Sequence, residues 1–196
     1  MTGTADSVPG TDRVLGVVGT VVLDRILPFE GKPVESLGGI THGLHALAAL
    51  APHPSFVVPV LKVGGDARAF VRAELAALGV DTRFLVPADQ PQNRVELHYT
   101  SPDRRRETLT GGVPPLALEE LEPALREVDV LYVNFVAGNE LTLSTLKRLR
   151  RSFRGPIYAD LHSLLLGRAR GGLRYPRPLP RWREWVASCD VVQCNA

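Results

Sequence analysis

The sequence predicts an α/β protein with a small separate β layer, and three observations carry that reading. Short apolar, β-rich runs recur at residues 13–19, 56–63 and 129–135, as expected of strands buried on both faces of a parallel sheet. Stretches with apolar residues at helical spacing lie between them. A polar, alternating hairpin at residues 93–110 breaks this rhythm and calls for a sheet of its own.

Taken in order, residues 13–19 form the first strand of the main sheet. Residues 20–27 continue with β-branched residues but carry Asp24, so they form an edge strand or one that leaves the sheet. On position alone, Asp24 reads either as a solvated edge carboxylate or as a functional acid. Residues 31–36 are a loop. Gly38 and Gly39 follow, permit positive φ and remove side-chain bulk. They lead into a helix rich in Ala and Leu whose first N–H groups point at whatever sits above the glycines, and Pro52 ends that helix. This glycine corner is the candidate binding corner.

Residues 56–63 form a second buried strand, with Pro59 indicating a bulge or an edge position. Asp66 is placed to cap a helix whose Val71, Leu75 and Leu78 share one face, and Gly79 closes it. Residues 80–86 enter another strand and 87–92 a polar turn. The hairpin arms, 93–100 and 104–110, meet at Ser101, Pro102 and Asp103 and end at Gly111 and Gly112. Joined to residues 20–27, the hairpin makes a lid, with lid strands from about 20–36 and 93–112.

Pro114 and Pro115 open a helix with Leu118, Leu121, Leu125 and Val128 in one stripe. Residues 129–135 are the next buried strand, and small and polar residues at 136–139 stand at its C-terminal end, where open α/β sheets bind ligands. A helix over about 140–152 turns Leu143, Leu146 and Leu149 inward. Residues 155–160 are a strand tipped by Asp160. The stretch 161–180 is rich in Gly and Arg and longer than an ordinary connection. Residues 180–188 form a short helix with Trp182 and Trp185 as a packing pair. A last strand follows, so a sheet edge and an apolar face are left exposed and marginal solubility is expected.

Composition narrows the function classes. The chain has 196 residues, 44% of them hydrophobic, enough for a buried core and one domain or slightly more. It contains no run of 18 apolar residues to span a membrane. Residues 1–12 are expected to be a disordered tail, without the basic and apolar regions of a signal peptide. A net charge of +2 implies no acidic partner overall. Residues 147–183 nevertheless hold eleven Lys and Arg against one acid, Asp160, which admits a nucleic-acid binder, although no stacking aromatic pattern accompanies the arginines. Cys189 and Cys194 read as reduced, buried thiols of a cytosolic protein, since no further Cys and no nearby His completes a metal site. The first strand runs into residues 19–22 without a Gly-x-Gly-x-x-Gly corner, which argues against a dinucleotide-binding enzyme.

In their order and spacing, the first strand, Asp24, Gly38 and Gly39 with their helix, Val63-Gly64-Gly65-Asp66, Gly79-Val80-Asp81-Thr82, the lid, and Asp190-Val191-Val192-Gln193-Cys194-Asn195 resemble the ribokinase-like (PfkB) family of sugar and nucleoside kinases. The resemblance covers residues 13–196 and the N-terminal two thirds of such a kinase. It implies a three-layer α/β sandwich with a small β-sheet lid, its C-terminal part missing, that transfers the γ-phosphate of ATP, with magnesium, to a sugar or nucleoside hydroxyl. In such kinases the lid often mediates dimerisation, so the resemblance also implies a homodimer through the lid; a cytoplasmic protein without membrane or nucleic-acid partners is the expectation from the thiols, the hydropathy and the missing aromatics above.

On this resemblance Asp24 hydrogen-bonds the substrate, a task suited to a carboxylate that accepts two hydroxyl donors at once, and Gly38 and Gly39 lie against the sugar. Gly43 stands on the substrate side where family members often carry Asn, with His42 or His45 as a replacement if neither serves as a helix-cap or packing residue. Asn195 resembles the asparagine of the Asn-x-x-Glu motif near the phosphates and magnesium, and Asp160 falls where many members carry an acid. Val22 and Ala69 replace a polar residue and a glycine of the family pattern, which leaves the sugar open. The Asp-Thr-x-Gly-Ala-Gly-Asp signature, which supplies the anion hole and general base, does not occur in residues 1–196. No catalytic residue or metal ligand is therefore assigned, and the chain alone is expected to be inactive. The competing reading is a non-catalytic sugar-binding or dimerisation remnant.

Overall fold

In the computed structural model, which describes residues 13–194, the chain begins with β1 (Leu15–Gly19), β2 (Val21–Leu27) and β3 (Val34–Gly39) and enters helix α1 (Ile40–Leu50). It continues through β4 (Val57–Gly64), α2 (Arg68–Ala77), β5 (Leu85–Ala88) and the hairpin β6 (Arg94–Ser101) and β7 (Arg104–Thr110). Then come α3 (Leu118–Leu125), β8 (Val130–Asn134), α4 (Leu143–Ser152) and β9 (Ile157–Asp160). A small hairpin, β10 (Leu166–Arg168) and β11 (Arg174–Pro176), precedes α5 (Trp182–Val186) and β12 (Val191–Gln193). The disordered tail expected for residues 1–12, and Asn195, lie outside the described residues.

The main sheet is parallel, in the order β12-β9-β8-β1-β4-β5, and a second sheet, β3-β2-β6-β7, forms the lid. Alternation along the parallel strands divides the core. Val18, Val58, Val60, Leu131, Val133, Ile157 and Ala159 pack on one side with α3, α4 and Trp185 of α5. Val17, Val57, Leu61 and Val63 pack on the other with Ile40 and Leu44 of α1 and Val71 and Leu75 of α2. The result is three layers around β1 and β4. On the α1 side this cluster includes nothing from β9 or β12; Val191 is 51% exposed there at the sheet edge, and Leu50 at the end of α1 is 83% exposed.

Several local expectations are corrected. Residues 34–39 form a strand rather than the end of a loop, because all six pair with β2, Val22 opposite Gly38 and Val21 opposite Gly39; ladder bonds outweigh the glycines' weak strand preference. Strand β2 leaves the main sheet but lies inside the lid, not at an edge. Pro59 makes no bulge: it pairs with Val17, and β5 joins β4 only from Leu61 onward, so β4 has one neighbour at the proline. Asp66 does not cap α2; Ala67 stands at that position, while Asp66 accepts the Gln92 N–H and pairs with Arg94. The strand expected at 80–86 lies at 85–88, and the third helix starts at Leu118, three residues after the prolines.

The tryptophans do not form a packing pair. Trp185 is buried edge-on against Phe135, whereas Trp182 is 51% exposed beneath the Arg183 guanidinium. Both cysteines are free, but only Cys189 is partly buried; Cys194 is exposed. Burial pushes the Cys189 thiol up to about 11, which keeps it protonated and weakly nucleophilic at neutral pH.

Candidate functional site

The residues assigned to the acceptor from sequence, Asp24, Gly38, Gly39 and Gly43, lie where β2, β3 and α1 meet above the C-terminal end of β1. Asp24 lies opposite Ser36 on β3, and its carboxylate occupies the space over Gly38. A Cβ at Gly38 would stand 1.7 Å from Asp24 Oδ2, so glycine is required wherever Asp24 keeps this position. Gly39 has φ of 65°, and a Cβ there would meet the Thr20 carbonyl at 2.5 Å and Val136 Cγ1 at 3.0 Å. Both the positive φ and the close approach call for glycine. The Ile40 N–H donates to the Thr20 carbonyl, which ties the start of α1 to the end of β1.

Gly43 is different in kind. A Cβ there would find only Ile40 Cδ1, at an ordinary 3.6 Å, so this glycine leaves room on the helix rather than permitting a contact. Burial holds the Asp24 carboxyl above the usual carboxylate range; His42 opposes that shift, Glu107 adds to it and Arg105 opposes it. None of these influences is a hydrogen bond. Of the two histidines considered, His42 is the one brought to Asp24. The Thr41 hydroxyl, also at the start of α1, is buried without a partner.

The same face of the lid is apolar beside Asp24. Val22, Val95 and Leu109 pack on Val136 and Ala137, which follow β8. Val22, where the family pattern places a polar residue, is thus part of an apolar floor. The loop after β8 is organised by Glu140, buried, which accepts the N–H groups of Ala137 at 2.6 Å and Gly138 at 3.0 Å. Burial pushes its carboxyl up to about 6, against the lowering effect of those donors.

Sequence reasoning missed Arg105 and Glu107 of β7 and the buried Arg174. A signal for the first two was present: in the hairpin register Leu97 faces Glu107 and Tyr99 faces Arg105, so alternation alone places Arg105, Glu107 and Leu109 on one face. Of a row at the strand ends, sequence reasoning singled out only Asp160. Asn134, Asp160 and Gln193 stand in register on β8, β9 and β12. The Asn134 side-chain oxygen Oδ1 is buried without a partner among the described residues, while Asp160 accepts the His162 backbone N–H and meets its ring Nδ1 at 3.2 Å. No group of three or more His, Cys, Asp or Glu is arranged to hold a metal ion among the described residues.

A groove of about 810 Å³ lies against the lid, with Leu23, Leu37, Arg25, Glu96 and Phe70 among its lining. Asp24 borders it, but Gly38, Gly39 and Gly43 do not. Leu23 and Leu37 join the α1–α2 cluster, whereas Val22 faces Val136, so the groove belongs to the lid face opposite the Asp24 carboxylate. The basic stretch is neutralised in part: five of its eleven cations pair with acids, Lys147 and Arg181 sharing Glu184 while Arg148, Arg150 and Arg174 pair with Glu119, Asp190 and Glu107. No helix among the described residues is long and apolar enough to cross a membrane.

No family model and no curated protein matches the sequence. Solved structures do match the fold. A ribokinase from Thermotoga maritima aligns with a TM-score of 0.59 and 17% identity, over 76% of this chain and 52% of its own. An uncharacterized sugar kinase from Pyrococcus horikoshii in complex with ATP aligns at 0.61 and 18%, over 76% and 53%. A Burkholderia thailandensis nucleoside kinase in complex with inosine aligns at 0.55 and 12%, over 75% and 52%. The fold is therefore ribokinase-like, and the chain spans about half the length of these proteins.

Proposed function

We propose that this chain supplies the acceptor-binding side of a PfkB-type kinase, which transfers the γ-phosphate of ATP to a hydroxyl of a sugar or nucleoside. One observation carries the reading: on a ribokinase-like fold, Asp24 holds a half-buried carboxylate, without a hydrogen bond from any described residue, directly over Gly38. Such a group accepts two neighbouring hydroxyls and is left unsatisfied by an analogue lacking them. Gly38 makes room for that carboxylate and Gly39 for the close turn into α1, so that both hold Asp24 toward the acceptor, and Gly43 leaves room one turn into α1.

ATP and magnesium belong to the proposal through the fold, and the residue expected beside them, Asn195, lies outside the described residues. On the same reading residues 1–196 bind the acceptor without turning over ATP, because the signature that supplies the base and anion hole in such kinases does not occur in their sequence. A homodimer through the lid belongs to the same reading. It is supported by an apolar row, Ile26, Val34 and Leu97, which the register aligns across β2, β3 and β6, with Val34 53% exposed. Cytoplasmic residence, likewise proposed, is supported by the two free cysteines.

Calorimetric titration of a panel of pentoses, hexoses and nucleosides, inosine included, tests the reading. Saturable binding of at least one is expected, weakened roughly 10- to 100-fold in Asp24→Asn as charge-assisted hydrogen bonds are lost. Absence of binding across the panel, or equal affinity in both proteins, would refute it.

A further inference from the structure

The long connection after β9 does more than join a strand to a helix. It folds back as the antiparallel hairpin β10–β11 and reaches the outer edge of the lid, where Leu173 forms a bridge with Thr108 of β7. Gly172 makes this approach possible: its φ is 90°, and a Cβ there would lie 2.3 Å from the Leu109 carbonyl. Two residues after this glycine, Arg174 has a side chain only 4% exposed. Its guanidinium donates to Glu107 of β7 at 3.0 Å, to the carbonyls of Val136 and Ala137 after β8 at 3.0 and 3.4 Å, and to the Ser163 carbonyl at 3.3 Å.

One planar cation thus joins the lid, the C-terminal edge of the main sheet and the connection itself. A guanidinium suits this task because it presents several donors in a fixed fork and stays charged. A buried pair of this kind is costly to break from one side, since the remaining charge is left uncompensated. The loop that presents the two carbonyls is itself held by Glu140 through Ala137 and Gly138.

We propose that β10–β11 is a latch that fastens the lid to the α/β domain through Arg174. Lid strands β6 and β7 and the hairpin open as one cooperative unit, and the Asp24 face is assembled before any acceptor arrives. The latch also covers part of the β7 edge, which would otherwise offer unpaired backbone groups to another chain. It does not depend on the identity of the acceptor.

Hydrogen–deuterium exchange of the full chain without ligand tests it, in wild type, Glu107→Gln and Gly172→Ala. The first substitution weakens the charge-assisted bond and the second drives the hairpin from the Leu109 backbone. In each, peptides covering 94–110 and 166–176 should exchange faster by a common factor, about tenfold or more, while β1, β4 and β8 keep the wild-type rate. Acceleration of the hairpin with an unchanged lid overturns the proposal, as does an equal rise in every segment, which would place the contact in the global core. Should a variant not fold, wild type in increasing urea decides: the two segments must share one opening free energy and one urea slope, and two separate slopes contradict the latch.

Discussion

Asp24 and Gly38 form one unit, because the carboxylate fills the volume that any other residue at 38 would claim. Gly38→Ala is therefore expected to displace the carboxylate and weaken acceptor binding as strongly as Asp24→Asn, with little change in the urea midpoint; a variant that binds like wild type would show that Asp24 is not the contact. The raised Asp24 value has a sign. Its folded-state proton is held more tightly than in the unfolded chain, so the stability linked to it is present below the ordinary carboxylate range and lost as pH rises through the raised value. Binding through the carboxylate should fall on acidification at a higher pH than an unperturbed aspartate would give. Glu140 follows the same rule. Lifted from 4.5 to about 6, it contributes stability that is complete below pH 4.5 and lost as pH rises through 6. At about 1.4 kcal/mol per pK unit, wild type should gain about 2 kcal/mol over Glu140→Gln between pH 7 and pH 4.5 in urea unfolding. A difference independent of pH would contradict the burial argument.

Elements with strong local chemistry were legible in the sequence, and those set by distant partners were not. The apolar runs at 15–19, 57–64 and 130–134 and the stripe of α4 are intrinsic patterns, and each forms its element. Asp66 shows the limit: a good capping residue, it is drawn instead to Gln92 and Arg94, partners invisible without the lid docked beside α2. In the same way 161–180 read only as an overlong connection, since the worth of Arg174 depends on acceptors from β7 and the loop after β8. The two tryptophans, three residues apart, also part company for tertiary reasons. Trp185→Ala should cost about 3–5 kcal/mol as its contact with Phe135 becomes a cavity, and Trp182→Ala less than about 0.5. Equal losses in thermal unfolding would refute the assignment of their burial.

At the scale of the whole molecule, the order of strands, glycine corner and lid was readable because each is a local pattern in fixed sequence, and the solved structures bear out the ribokinase-like fold. The face that Asp24 presents was readable only in part: its residue was found, but the companions His42, Glu107 and Arg105 depend on sheet register. The molecule offers two surfaces on one lid, the Asp24 face and the groove beside Phe70, and the acceptor is proposed for the first. A crystal structure of the chain with a bound sugar or nucleoside from the titration panel separates them directly. Two adjacent hydroxyls are expected on the Asp24 carboxylate beside the glycine corner; a ligand seated in the groove against Leu23, Leu37 and Phe70, with Asp24 uncontacted, would overturn that assignment.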